Sequence, residues 1–179
     1  MGRKAPFYAS AVCVLSILVI SYQISIINAL EFVSYSRFAN LIISLALLGF
    51  GASGTFLSFY QIDTKKHSFA VISLLFLLLL IALPFSYLLS GAISLDIQYI
   101  FFSFRQFLLF LAYAMCFFIP FFICAVLIGA FLALYRDSVY LMYGANLFGS
   151  GIGGILVLPL FFLVPQHLLP LRLTLLALC

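Results

Sequence analysis

Five apolar runs, each long enough to cross a lipid bilayer, leave this chain of 179 residues little choice of fold. A bilayer core takes about 20 apolar residues per helix. Residues 8–30, 38–60, 69–90, 107–135 and 139–164 each reach that length. Hydrocarbon offers no water to the backbone, so each run must close its own hydrogen bonds as a helix. Composition agrees: 67% of residues are hydrophobic and 7% are charged, against about 25% charged in soluble domains. The expected fold is all-α, a polytopic transmembrane helical bundle forming a single domain over residues 1–179, with five complete helices plus a partial sixth. The sixth run, residues 167–179, is too short to span and reads as the start of a helix whose remainder is missing. On that reading the chain is a fragment.

The eight basic and four acidic residues are scattered at the ends of the runs. They therefore read as topology signals rather than as a nucleic-acid surface, since no Lys/Arg cluster is present to grip phosphates. With the N-terminus in the cytoplasm, Arg3, Lys4, Lys65, Lys66 and Arg136 fall inside, and Arg37, Arg105 and Arg172 fall outside. The positive-inside rule favours that orientation. It gives a multi-pass protein of the cell inner (plasma) membrane, with the lipid bilayer as its first partner. The opening Met1-Gly2-Arg3-Lys4 imitates a signal peptide. Its apolar run is too long for one and further spans follow at once, so it reads as an uncleaved first helix. The stretch 93–104 reads as interfacial.

Gly49-Phe50-Gly51-Ala52-Ser53-Gly54 and Gly149-Ser150-Gly151-Ile152-Gly153-Gly154 both spell G-x-G-x-x-G. A dinucleotide fingerprint needs a strand before it and an acid about 20 residues after it. The first acid after Gly54 is Asp63, and none follows Gly154. Helix packing accounts for the glycines better. Ala145, Gly149 and Gly153 are four apart, as are Asn146, Ser150 and Gly154, and Gly49 and Ser53 repeat the spacing. Small-xxx-small faces let membrane helices approach closely, which places the fifth helix centrally against a neighbour. A glycine-rich helix can also unwind to line a substrate site. The two motif helices cross in opposite directions, each the middle member of a three-helix set, which is the pattern of an inverted repeat.

Tyr22, Gln23, Ser25 and Asn28 cluster on the first helix, and Asn146 lies deep in the fifth. Polar side chains in lipid face the bundle interior. They serve either as interhelical hydrogen bonds or as a small polar pocket, with Gln23, Asn28, Asn146 and Ser150 as its candidates. Cys13, Cys116, Cys124 and Cys179 read as free thiols packed as small apolar groups. His67 and His167 have no second ligand at metal spacing, and no catalytic Ser/His/Asp or Cys/His arrangement or Walker motif occurs. The expectation is no catalytic residue, no metal and no cofactor. Pro84, Pro120 and Pro159 are candidate kinks.

Residues 38–57, with their glycine run, resemble the N-terminal membrane part of bacterial fused proteins related to spermidine synthase. So do Tyr143-Gly144-Ala145-Asn146-Leu147-Phe148-Gly149-Ser150-Gly151-Ile152-Gly153-Gly154, the short turn Arg136-Asp137 before them, and Ser21-Tyr22-Gln23. The resemblance covers most of residues 15–160. Asn28 stands where members often carry arginine, and Arg37-Phe38-Ala39-Asn40 where they carry His-Phe-Ala-Tyr. The family's soluble half resembles aminopropyltransferases and methyltransferases, and this chain holds none of it. The resemblance implies a non-enzymatic membrane module that anchors or serves a cytoplasmic synthase-like domain or subunit, and that binds or passes a small substrate. The alternatives are a small-solute transporter-like fragment and a structural subunit, such as a homo-oligomer, packing through its glycine-rich helix.

Overall fold

A computed structural model describes residues 5–33, 37–59, 68–93, 102–163 and 168–178. Its helices are α1 (Ala5–Val33), α2 (Arg37–Phe59), α3 (Ser68–Ala92), α4 (Phe104–Leu134), α5 (Val139–Leu163) and α6 (Leu169–Leu178). A 3-10 turn, Arg136–Ser138, joins α4 to α5, and no strand occurs among the described residues. The chain is an all-α bundle, and α1 to α5 are each long and apolar enough to cross a membrane. Every helix end lies within three residues of the place the apolar runs put it. The basic connection 60–67 and most of the interfacial stretch 93–104 lie outside the described residues. Pro84, Pro120 and Pro159 each sit inside a helix that continues through them. All three helices are predominantly apolar, as membrane helices are.

Chain geometry sets the directions. At 29 residues α1 is about 43 Å long, whereas residues 34–36 reach only about 10 Å. α2 therefore runs antiparallel to α1, and α1 and α5 point one way while α2 and α4 point the other. The contact register agrees. Asn146 meets Ser16 and Gly153 meets Ser21, so α1 and α5 are parallel. Gly49 meets Phe121 and Gly129 meets Leu57, so α2 and α4 are parallel.

The two most extensive helix interfaces are α1–α5 and α2–α4. Smaller interfaces form between α3 and α4, α1 and α2, α1 and α6, α3 and α6, α1 and α4, and α4 and α5. This set has an internal symmetry. Exchanging α1 with α4, α2 with α5 and α3 with α6 turns α1–α5 into α2–α4, α3–α4 into α1–α6, and α1–α2 into α4–α5. The remaining two map onto themselves. An inverted three-plus-three repeat produces this exchange. The halves interlock, because the middle helix of each packs on the first helix of the other.

The exchange also explains which helices are central. In α1 and α4, 44% and 56% of the spanning window is buried, against 28% in α2 and 17% in both α3 and α5. The core gathers Val12, Val19, Tyr22 and Ile26 of α1 around Phe117, Phe121, Cys124 and Leu127 of α4. The centrality expected of α5 is thus corrected. Its glycines bring one face hard against α1, but Phe148, Ile155 and Phe162 turn the rest outward.

Candidate functional site

The polar and small residues inside the bundle form three seams. The first joins α1 to α5. At Gly149, a Cβ atom would sit 3.0 Å from the Cα of Cys13 and the Cβ of Ser16, and closer still to the Cys13 carbonyl oxygen. At Gly153 it would lie 2.7 Å from the Ile17 carbonyl oxygen and 3.0 Å from the Ile17 Cα. These neighbours are largely backbone, so the two helices touch main chain to main chain. Hydrogen bonds stitch the contact. Ser21 Oγ donates to the Gly153 carbonyl at 3.0 Å. The Ser16 hydroxyl is placed to donate to the Val12 carbonyl at 2.8 Å or to Asn146 Oδ1 at 2.7 Å. Ser150 donates to the Asn146 carbonyl of its own helix. Ala145 packs against the core, and Gly154 is half-buried with Ile24 Cδ1 at 3.9 Å.

The second seam joins α2 to α4 and corresponds to the first. A Cβ at Gly49 would lie 3.0 Å from the Phe122 nitrogen and 3.2 Å from the Phe121 carbonyl carbon. Ser53, one turn on, is buried and donates to the Phe50 carbonyl at 2.7 Å. Gly51, Gly54, Gly144 and Gly151 have nothing from a neighbouring helix within 4 Å of their Cβ positions. Within each G-x-G-x-x-G, then, the first glycine packs and the middle one faces outward. The four-residue spacing carries the contact, and the nucleotide spacing does not.

The candidate polar pocket comes apart in the structure. Asn146 sits with Ser16, while Gln23 and Asn28 lie about 10 Å and 18 Å further along α1. Asn28 Nδ2 donates to the Ile24 carbonyl within its own helix at 2.9 Å. Gln23, Asn28, Asn146 and Ser150 therefore do not surround one point. The pair that the structure does bring together is Asn146 with Ser16.

The third seam was missed by sequence reasoning. Tyr22 is fully buried, and its phenol donates across to the Leu83 carbonyl of α3. Ser86 Oγ lies 2.7 Å from the Tyr22 oxygen and 2.8 Å from the Leu83 oxygen. A carbonyl has two lone pairs, so Leu83 can receive both hydroxyls. One turn further along α1, Ser25 is fully buried, and its hydroxyl has no hydrogen-bond partner among the described residues. The signal in the sequence was the polar cluster on the first helix. Its partner, a serine just after Pro84, carried no signal of its own.

No protein-family model, curated protein or solved structure matches this chain.

Proposed function

We propose that the chain is an integral membrane module that anchors and positions a cytoplasmic synthase-like domain or subunit at the inner membrane. The observation that carries this reading is the closure of the glycine face. The backbone of α1 fills the surface of α5 that a substrate path would need, and that surface acts as a structural clamp. The resemblance to the membrane part of spermidine synthase-like proteins points the same way, to a platform rather than a catalyst. Orientation belongs to the proposal. With the N-terminus cytoplasmic, Arg3, Lys4, Lys65, Lys66 and the Arg136-Asp137 turn face the partner domain. A cysteine placed at the exposed Asp137 is then expected to react with a membrane-impermeant maleimide only in inside-out vesicles. Labelling from the outside of intact cells would reverse the orientation.

A second reading is a small-solute transporter, favoured by the exchange symmetry of the interfaces. Inverted repeats support alternating access when one half rocks against the other. One experiment separates the two. Under the anchoring reading, a polypeptide that is photolabelled by a decarboxylated S-adenosylmethionine analogue co-purifies with the chain from native membranes. Asn146→Leu leaves that co-purification intact, because it removes one interhelical hydrogen bond worth about 1 kcal/mol or less. Under the transport reading, proteoliposomes holding the chain alone accumulate labelled spermidine, and Asn146→Leu abolishes uptake while the bundle still assembles. Uptake by the chain alone, with no labelled partner, would replace anchoring by transport.

A further inference from the structure

The helix interfaces are of two kinds. Within α1–α5 and within α2–α4, backbone lies against backbone. A Cβ at Gly149 or Gly153 would strike the main chain of Cys13 or Ile17, and one at Gly49 the main chain of Phe121 and Phe122. Ser21 donating to the Gly153 carbonyl, and Ser16 meeting Asn146, add hydrogen bonds to the first pair. A contact made by main chain has no rotamers through which to repack, so each pair resists sliding. α3 joins the second pair through its interface with α4, the next most extensive in the bundle.

Between the pairs, large side chains make the contact. α1 and α4 contribute most of the core, yet their backbones come close over only a short stretch. The α1–α2 interface, the largest between the pairs, falls well short of either interface within them. At the end where α1 begins, the Tyr8 ring stacks on Tyr135 at the end of α4, with centroids 4.7 Å apart. Phe131 of α4 lies 6.0 Å from the same ring. Tyr22, about 21 Å further along α1, reaches the Leu83 carbonyl and the Ser86 hydroxyl of α3. The described chain connection between the pairs is the 3-10 turn Arg136–Ser138, where the Ser138 N–H donates to the Tyr135 carbonyl at 2.9 Å. Short 3-10 turns often serve as hinges.

Helices packed through side chains can slide past one another by small torsional adjustments. We propose that the bundle moves as two units, α1 with α5 and α2 with α3 and α4, which shear against each other about the Arg136–Ser138 turn. The units are not the two halves of the sequence, because α1 leaves its own half to clamp the middle helix of the other. The exchange that relates the interfaces maps the α1–α5 clamp onto the α2–α4 clamp, so both units are built around the same contact. Tyr8 on Tyr135, and Tyr22 on Leu83 and Ser86, are the ties that hold one setting of the shear. The motion is independent of the anchoring role, and its failure would leave the co-purification result untouched.

The test measures distances between pairs of nitroxides in the full chain in nanodiscs. The labels are carried on p-acetylphenylalanine, which leaves the native cysteines in place. Val14, Phe162, Leu48 and Leu108 are exposed positions of α1, α5, α2 and α4. Val14 with Phe162, and Leu48 with Leu108, report inside the units. Val14 with Leu108, and Leu48 with Phe162, report across them. Removing both ties, by Tyr8→Ala with Tyr22→Phe, is expected to shift the two across-unit distances by about 2 Å, the size of a helix shear. The two internal distances are expected to stay as they are in the parent. Tyr22→Phe alone keeps the buried ring and is expected to broaden the same two across-unit distances, so the result does not depend on the double variant folding. The proposal is overturned if the across-unit distances are unchanged in both variants. It is equally overturned if the internal distances shift as far as the others, which would assign the motion to the sequence halves or to the bundle as a whole.

Discussion

Replacing Gly149 or Gly153 by leucine is expected to force α5 away from α1 and to destabilise the bundle by about 3 kcal/mol each, the upper end of overpacking costs. The reason is what the new side chain would meet. A single Cβ at Gly149 already falls within 3.0 Å of the Cys13 Cα and the Ser16 Cβ. Backbone cannot rotate aside as a side-chain tip can, so the helices must separate. Separation also stretches the Ser21 bond to Gly153 and the Ser16 bond to Asn146. In a membrane the lost close packing is not offset by a hydrophobic drive between helices. Thermal unfolding in nanodiscs would show a midpoint lower by roughly 6–12 °C. Gly151→Leu, with nothing within 4 Å, is the matched control and should stay within about 2 °C of the parent. If Gly149→Leu melts with the parent protein, the α1–α5 clamp does not hold this bundle together.

The helices were legible in the sequence because length and apolarity decide them in a membrane, and no tertiary context overrides that decision. Pairing was less legible. The four-residue spacing of Ala145, Gly149 and Gly153 signalled close approach, and α5 does approach α1 to backbone contact. The spacing could not name α1, because almost any apolar helix surface accepts a glycine face. Nor could it rank centrality. Glycines measure how near one face comes, whereas burial depends on every face, and here α1 and α4 are enclosed while α5 keeps Phe148, Ile155 and Phe162 outside. The inverted repeat left one trace in the sequence, the paired glycine runs at Gly49 and Gly149. The exchange appears instead in the interfaces, where Gly49 on α4 does what Gly149 does on α1. The four candidate pocket residues show a further limit. Polar character put Gln23, Asn28, Asn146 and Ser150 together on paper. Depth and local bonding separate them, because asparagine and serine so readily satisfy themselves on their own helix, as Asn28 and Ser150 do.

Tyr22→Ala is expected to cost about 3–5 kcal/mol, the range for deleting a large buried aromatic side chain. Tyr22→Phe is expected to cost about 1 kcal/mol or less, the usual worth of one interhelical hydrogen bond in a membrane. The gap between the two rests on two separate roles. The ring is fully buried in the core, with its hydroxyl at Leu83 and Ser86 of α3. It is also the span between α1 and α3, whose backbones share no substantial interface. Losing the ring therefore opens a cavity and removes the hydrogen bonds by which Tyr22 reaches α3. Losing only the hydroxyl leaves the ring in place, and Ser86 still donates to the Leu83 carbonyl at 2.8 Å. Thermal unfolding of the purified chain, followed by circular dichroism, distinguishes the roles. A double-mutant cycle with Ser86→Ala isolates the hydroxyl pair, with a coupling of about 0.5–1 kcal/mol expected for groups in direct contact. Equal losses from Tyr22→Phe and Tyr22→Ala would mean that the polar bond, not the ring, ties α1 to α3. The core would then tolerate the cavity by closing over it.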